Sequence, residues 1–301
     1  MSGIAVSNGG QAPSPIRTGD APVVHWTRDY LELSKSRIVL MVLLATAAGY
    51  LVAAPRIDSL VLLHALIGTA LVAAGTNALN QYVEREHDAK MRRTHNRPLP
   101  AGRITPRAAL TFSAAVAIIG TLYLGFAVNW LTAALGAFTL TSYIFVYTPL
   151  KRVSSICTII GAIPGAIPPL MGWTAATNHL AIGGWVAFGI LFFWQLPHFM
   201  ALSWIYRDDY VDAGFRMSSA TAARQAVFFS LALLAVSVLP SFIGIAGVGY
   251  AIGATICGVA LLAMSIRFFF ERTNRTAMRL FMTSNLYLIV VMTLLVVSAR
   301  A

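Results

Sequence analysis

Long apolar runs alternate with short polar segments over most of this chain. Runs of about 20 mostly apolar residues are long enough for a helix to cross the hydrocarbon core of a bilayer. They must be helical there, because lipid offers no partner to backbone N–H and C=O groups. We therefore expect an all-α polytopic membrane protein with nine spans, at roughly 36–54, 59–82, 108–128, 130–148, 154–173, 183–205, 224–242, 246–266 and 280–298.

Composition and charge support this interpretation. The 301 residues are 57% hydrophobic and only 11% charged, whereas soluble domains average about 25% charged residues. A net charge of +11 is also typical of proteins that bind nucleic acid. However, nine spans with an inside N-terminus put 20 of the 22 Lys and Arg residues on the inner side. The positive-inside rule explains that bias, so we expect a bacterial inner-membrane protein with a cytoplasmic N-terminus and no nucleic-acid partner.

The first 33 residues differ from the rest of the chain. Residues 1–33 are polar, with scattered Gly, Pro and Ser, and they lack the apolar core of a cleavable signal peptide. We expect a flexible cytoplasmic tail, followed by a single transmembrane domain over residues 34–301.

The few acidic residues are grouped, which suggests an internal duplication. Six of the eleven acids form two clusters 124 positions apart, each at the inner end of a long apolar span. Duplicated halves with a binding site at their interface are a known plan among membrane proteins. We therefore predict two four-helix pseudo-repeats plus one helix, over about 36–173 and 183–298. The clusters are Glu84, Glu86 and Asp88, and Asp208, Asp209 and Asp212.

The spacing of these polar residues predicts a metal site. Asn80, Glu84 and Asp88 are four residues apart, so they share one helix face, and Asp208 and Asp212 have the same relation. Carboxylate and amide oxygens suit Mg²⁺, which proteins hold with one or two carboxylates plus substrate phosphates. We predict one Mg²⁺ at the first cluster and another at Asp208 or Asp209 with Asp212, bridged by a diphosphate.

Basic residues on the same inner face fit a phosphate ligand. Arginine forks match phosphate oxygens with two parallel hydrogen bonds. The predicted phosphate contacts are Arg92, Arg93, Arg97, Lys151 and Arg152. His198 lies deeper, beside Pro197 in the sixth span. An intramembrane histidine is a candidate functional residue, although the backbone that a proline frees could equally satisfy it.

Several motifs resemble a known family. The pattern NxxxExxxD from Asn80, followed by MRRTHNRPLPAGRI, resembles the first signature of the membrane-embedded aromatic prenyltransferase (UbiA-type) superfamily, in which aspartate is commoner than Glu84. Four further stretches resemble the heme-farnesylating branch of that superfamily. They are YTPLKR (147–152), IIGAIPGAIPPLMGW (159–173), FWQLPHFMALSWIYRDDYVDAG (193–214) and RTNRTAMRLFMTSNLYL (272–288). One departure is FRMSSATAAR after Gly214, where the family usually has a stretch containing proline and leucine.

The resemblance implies a reaction and its participants. Farnesyl diphosphate would be the donor and heme b the acceptor, with Mg²⁺ as cofactor and the lipid bilayer as surroundings. The 2-vinyl group of heme would take the farnesyl group, and water would then add to give heme O. His198 and Arg275 would contact the heme, the latter at its propionates. Heme A synthase or a second copy of the chain would be a partner.

Two alternatives remain open from the sequence. A polyprenyltransferase acting on a quinone precursor such as 4-hydroxybenzoate would share the first motif, but YTPLKR and the PHF segment disfavour it. A cation-coupled transporter would also carry intramembrane acids and a repeat. Here both acid clusters lie at the inner ends of spans, whereas transporters place such groups near the midplane.

Overall fold

Helices account for the regular structure in the described part of the chain. The computed structural model describes residues 26–215 and 221–301. The first half contains α1 (Trp26–Leu33), α2 (Ser36–Ala53), α3 (Ser59–Asp88), α4 (Pro106–Ala127), α5 (Trp130–Thr141), a π-helical turn (Ser142–Tyr147), α6 (Thr148–Leu150) and α7 (Cys157–Thr177). The second half contains α8 (Ile182–Ile205), α9 (Arg207–Asp212), α10 (Ala222–Ser237), α11 (Leu239–Phe242), α12 (Val248–Glu271) and α13 (Asn274–Arg300).

The predicted membrane spans are confirmed. Nine helical segments of the described chain are long and apolar enough to cross a bilayer, including the composite spans Trp130–Leu150 and Ala222–Phe242. Two helices extend further than their apolar runs, because α3 continues to Asp88 and α13 begins at Asn274. Thr273 caps α13 through a reciprocal capping box with Thr276, and such a cap fixes a helix start without any apolar residue.

The two central helices are α7 and α8. In the most apolar stretch of each of these helices, 67% and 61% of the residues are buried, against 22–33% for the other seven spans of the described chain. Helix α7 carries Pro164, Pro168 and Pro169 in its interior. Neighbouring helices and side chains can satisfy the backbone groups that such prolines free. The two helices are also joined by Gln195 of α8, whose Nε2 donates to Ala162 O of α7 at 3.3 Å.

Helices α2 and α7 approach each other closely at two glycines. A Cβ atom on Gly49 would lie 2.0 Å from Pro169 O, and one on Gly172 would lie 1.9 Å from Thr46 O. Small residues let helix backbones meet in this way within membranes. The α2–α7 contact therefore depends on the absence of these two side chains.

We expect Gly172→Ala to destabilise the protein by at least about 2 kcal/mol, because backbone atoms would have to move to admit the methyl group. Gly249→Ala is the matched control, since a Cβ atom there would meet nothing within 4 Å. Thermal unfolding of the purified protein in detergent measures both changes. Equal unfolding temperatures for the two variants would contradict the assigned α2–α7 contact.

The packing order of the helices is similar in the two halves. Helix α3 packs on α4, and α4 on α5, while α8 packs on α10, and α10 on α12. Helix α13 returns to contact both α2 and α8. This order agrees with an internal duplication, and the exact boundaries of the repeats stay a prediction.

Part of the predicted N-terminal tail has regular structure. Residues 26–33 form helix α1, with Asp29 and Leu33 buried, so the prediction of a flexible tail was wrong for this part. Burial of those two side chains against α3 and the following loop explains the helix. The rest of that tail, and positions 216–220 of the atypical FRMSSATAAR stretch, lie outside the described residues.

Candidate active site

The last turns of α3 carry three polar residues at four-residue spacing, Asn80, Glu84 and Asp88, which we call the ladder. They are 1%, 4% and 1% exposed, respectively. Because α3 remains helical to Asp88, the four-residue spacing keeps all three side chains on one inward face. The structure thus places these three residues on a buried helix face at the end of a membrane span.

A protein cation contacts each member of the ladder. Buried charges require such partners, because removal from water is costly. The cations come from three separate segments, namely the α1–α2 junction, the turn after α6 and the loop after α3. The contacts are Lys35 Nζ to Asn80 Oδ1 at 2.9 Å, Lys151 Nζ to Glu84 Oε1 at 2.8 Å, and Arg97 Nη1 to Asp88 Oδ2 at 2.6 Å.

Lys35 was not among the residues that the sequence indicated for this site. It lies between α1 and α2 in the left-handed conformation, at φ 52° and ψ 55°. Removal of its ammonium group from water lowers its pKa to about 7, and the positive charges of Arg97 and Lys151 act in the same direction. In the sequence, a lysine at the start of a span is explained by the positive-inside rule alone. Its contact with Asn80 is therefore visible only in the folded structure.

Lys151 is the most enclosed cation of the site. It is 7% exposed, and its Nζ lies 4.5 Å from the centre of the Tyr147 ring. Burial alone would lower the pKa of Lys151, but the Glu84 carboxylate outweighs that effect and holds the pKa well above its ordinary value. This lysine therefore carries a full positive charge beside the ladder.

A π-helical turn precedes Lys151. Pro149 has no N–H group and cannot continue the normal ladder of helix hydrogen bonds. In the turn just before it, the Thr148 hydroxyl donates to Tyr143 O at 2.8 Å, and Asn80 Nδ2 donates to Thr148 Oγ1 at 3.3 Å. Such turns are frequent at functional sites. Here the turn ties Lys151's segment to the ladder.

One oxygen of the ladder remains available. Asp88 Oδ1 is buried and makes no hydrogen bond to any described residue. Thr94 donates to the Asp88 carbonyl at 2.8 Å, which turns the loop back so that Arg97 reaches only the other carboxylate oxygen. A buried carboxylate oxygen without a partner is the kind of hard oxygen donor that Mg²⁺ prefers.

The second acidic cluster has a different environment. Helix α8 ends at Ile205 and a break at Tyr206 separates it from α9, so this cluster stands on a short helix of its own. The Asp208 side chain is 87% exposed and lies 3.8 Å from Arg207. Asp212 is exposed and Asp209 is partly exposed. Among the described residues, no three His, Cys, Asp or Glu side chains are grouped as a metal site.

Aromatic contacts nevertheless bring the two acidic segments together. The His87 and Phe215 rings stack at 5.2 Å, and Met91 packs with Ala213 and Phe215. In addition, the guanidinium of Arg93 lies 5.0 Å from the centre of the Tyr206 ring, at the break after α8. The end of α3 and the α9 segment therefore lie next to each other, and joint binding of metals by their acidic residues stays a prediction.

The other predicted residues are more dispersed. Arg92 and Arg152 are exposed. His198 packs against α13, where its Nδ1 shares a 2.9 Å hydrogen bond with Ser284 Oγ and its ring lies 4.7 Å from Phe281. Arg275 is exposed in the first turn of α13. The roles of these residues stay predictions.

Comparison with known proteins identifies the family. The UbiA prenyltransferase family matches residues 42–289 of the chain, which include the ladder, Lys151 and the α9 acids. The chain belongs to the UbiA prenyltransferase family. A similar member is a protein from Solibacter usitatus named protoheme IX farnesyltransferase, 45% identical over 277 residues. That alignment covers 87% of this chain and 95% of the relative.

Solved UbiA-type structures share the fold. A structure of digeranylgeranylglyceryl phosphate synthase matches with a TM-score of 0.77 at 20% identity, covering 91% of this chain and 98% of the other. A UbiA homolog from Archaeoglobus fulgidus, described as bound to GPP and Mg²⁺, matches with a TM-score of 0.62 at 13% identity, covering 91% and 100%. At these identities the likeness concerns the fold alone.

Proposed function

We propose that this UbiA-family chain is a protoheme IX farnesyltransferase, which transfers the farnesyl group of farnesyl diphosphate to the 2-vinyl group of heme b. The observation that carries the proposal is the buried ladder of Asn80, Glu84 and Asp88, each facing its own cation. The named relative, 45% identical along nearly its whole length, supports heme as the acceptor.

The donor site follows from the charges around the ladder. When the bond between the allylic carbon and the diphosphate oxygen breaks, its electron pair leaves with the diphosphate. Lys35, Lys151 and Arg97 are fixed where this growing negative charge must be stabilised, and such pre-placed charge is the main source of rate enhancement in many enzymes. Arg92, Arg93 and Arg152 would contact outer phosphate oxygens from the exposed rim.

The proposed metal sites use the same residues. Asn80, Glu84 and Asp88 would hold one Mg²⁺, and Asp208 or Asp209 with Asp212 would hold a second. Bound Mg²⁺ supplies positive charge that neutralises a departing diphosphate. The free Asp88 Oδ1 supports the first assignment, whereas the exposed second set would need the bound donor to complete its ligands.

The acceptor half of the reaction needs an apolar environment. The farnesyl cation must be kept from water until the terminal carbon of the heme 2-vinyl group attacks it, and closed active sites prevent such side reactions. The resulting cation next to the porphyrin ring takes up a water oxygen and loses a proton, which gives the hydroxyethylfarnesyl group. We assign His198 and Arg275 to the heme, the latter at a propionate.

We place this chemistry at the cytoplasmic face of a bacterial inner membrane, because the inner side carries most of the basic residues. Both the donor chain and the product are apolar and remain in the bilayer. We therefore propose heme A synthase, which would accept the product, or a second copy of this chain as a membrane partner. Co-purification from membranes in mild detergent tests both proposals.

Mass spectrometry of heme extracted from membranes that express this chain tests the function. We expect heme carrying a hydroxyethylfarnesyl group, and none from membranes that express Asp88→Ala at the same level. A second assay offers the purified protein farnesyl diphosphate with heme b or 4-hydroxybenzoate. Turnover of the phenolic acid with heme untouched would refute the proposed acceptor.

A further inference from the structure

Helix α1 is tied to a segment that follows much later in the chain. Arg103, in the loop between α3 and α4, reaches back 74 residues to Asp29. Its Nε donates to Asp29 Oδ1 at 2.7 Å, its Nη2 to Glu32 Oε2 at 2.9 Å, and its Nη1 to Asn96 O at 2.8 Å. Asp29 is 3% exposed, and Arg103 is the ion-pair partner of this buried carboxylate.

The end of α1 is held by a residue of the ladder helix. Gln81 Nε2 donates to Leu33 O at 2.8 Å and to Glu32 O at 3.1 Å. The last carbonyls of a helix have no partner within it, so this buried amide fixes where α1 ends. Lys35 follows two residues later and directs its Nζ to Asn80, the residue next to Gln81.

A small apolar cluster lies beneath these polar contacts. It joins α1, α3, the loop and α4 through Leu33, Ala78, Leu99, Ile104 and Ala109. Apolar packing is non-directional, so it holds α1 against the bundle without fixing its rotation. The directional contacts of Gln81 and Arg103 supply that constraint.

We propose that Gln81 and Arg103 are positioning residues for the donor site. They fix the orientation of α1, and through it they keep Lys35 directed at Asn80 and the diphosphate of the donor. Among the hydrogen bonds of the described residues, those of Gln81 and Arg103 go to α1 and to Asn96 rather than to the ladder carboxylates. The identity of the donor in this proposal rests on the proposed function.

The test compares Michaelis constants for the two substrates. We expect Gln81→Met, which keeps the side-chain volume but removes the donor group, and Arg103→Ala each to raise the KM for farnesyl diphosphate about tenfold. The KM for heme should change by less than about twofold. Arg103→Lys keeps the charge without the three-way contact and should give an intermediate value. Arg107→Ala, at an exposed arginine in the first turn of α4, is the matched control and should behave as wild type.

A double-mutant cycle with Lys35→Ala decides whether the effect passes through Lys35. If it does, adding Gln81→Met or Arg103→Ala to Lys35→Ala should raise the KM for the donor by less than about twofold more. Effects that multiply, or an equal rise in both Michaelis constants, would overturn the proposal. If Arg103→Ala does not fold, as judged by thermal unfolding in detergent, Gln81→Met and Arg103→Lys still provide the cycle. Failure of the wild-type protein to farnesylate heme would count instead against the proposed function.

Discussion

Lys151→Met should lower the rate of heme farnesylation by about 10²–10³-fold, the usual loss when one pre-placed group that stabilises transition-state charge is removed. The same change should destabilise the protein by about 3–5 kcal/mol, because the buried Glu84 carboxylate would lose its ion-pair partner. Steady-state turnover with saturating heme measures the first effect, and thermal unfolding in detergent measures the second.

A second substitution separates the two effects. In the variant Glu84→Gln with Lys151→Met, no uncompensated charge remains, so most of the lost stability should return. Activity should not return, because both the phosphate cation and the ladder carboxylate are absent. Recovery of turnover together with stability would show that the pair is only structural and would contradict its assignment to the donor site.

Asp88→Asn should also lower turnover by about 10²–10³-fold, since the change removes the negative charge of the residue whose free oxygen we assign to Mg²⁺. Its size is preserved, and its partner Arg97 is 19% exposed, against 9% for Lys151, so we expect a smaller loss of stability than for Lys151→Met. Turnover is measured over a range of Mg²⁺ concentrations, where the variant should require more metal than the wild type.

Glu86→Gln is the matched control for Asp88→Asn. Glu86 lies two residues earlier on the same helix, but its side chain is 76% exposed and pairs with Arg85. It should retain wild-type turnover and the same dependence on Mg²⁺. Comparable losses in the two variants would mean that the charge of the helix end matters rather than the ladder itself.

The nine spans could be predicted because a long apolar segment in lipid must be helical to satisfy its backbone hydrogen bonds. The ends of α3 and α13 could not, because there the helix continues through polar residues. At α13 a local cap sets the start, and at α3 the polar residues are buried by partners from other segments. Hydrophobicity therefore locates a span in the chain but does not show where its helix stops.

The ladder itself could be predicted from its four-residue spacing, which is a local property of α3. Its partners could not all be predicted, because Lys35 lies 45 residues from Asn80 and carries no periodic signal. The sequence also suggested that the two acidic clusters are equivalent, but the structure shows that they differ in burial. The break at Tyr206 leaves Asp208 and Asp212 on an exposed short helix, whereas Glu84 and Asp88 are buried.

The 74-residue link between Arg103 and Asp29 has a consequence for biogenesis. During synthesis, α1 is made before Gln81 and Arg103, so neither residue can yet set the rotation of α1. Lys35 can meet Asn80 only after α3 has entered the membrane and the following loop has folded back. The proposed donor site is therefore completed late relative to the insertion of its first helix, and a nascent chain that stops before Arg103 would lack the ion pair that joins Asp29 to the loop after α3.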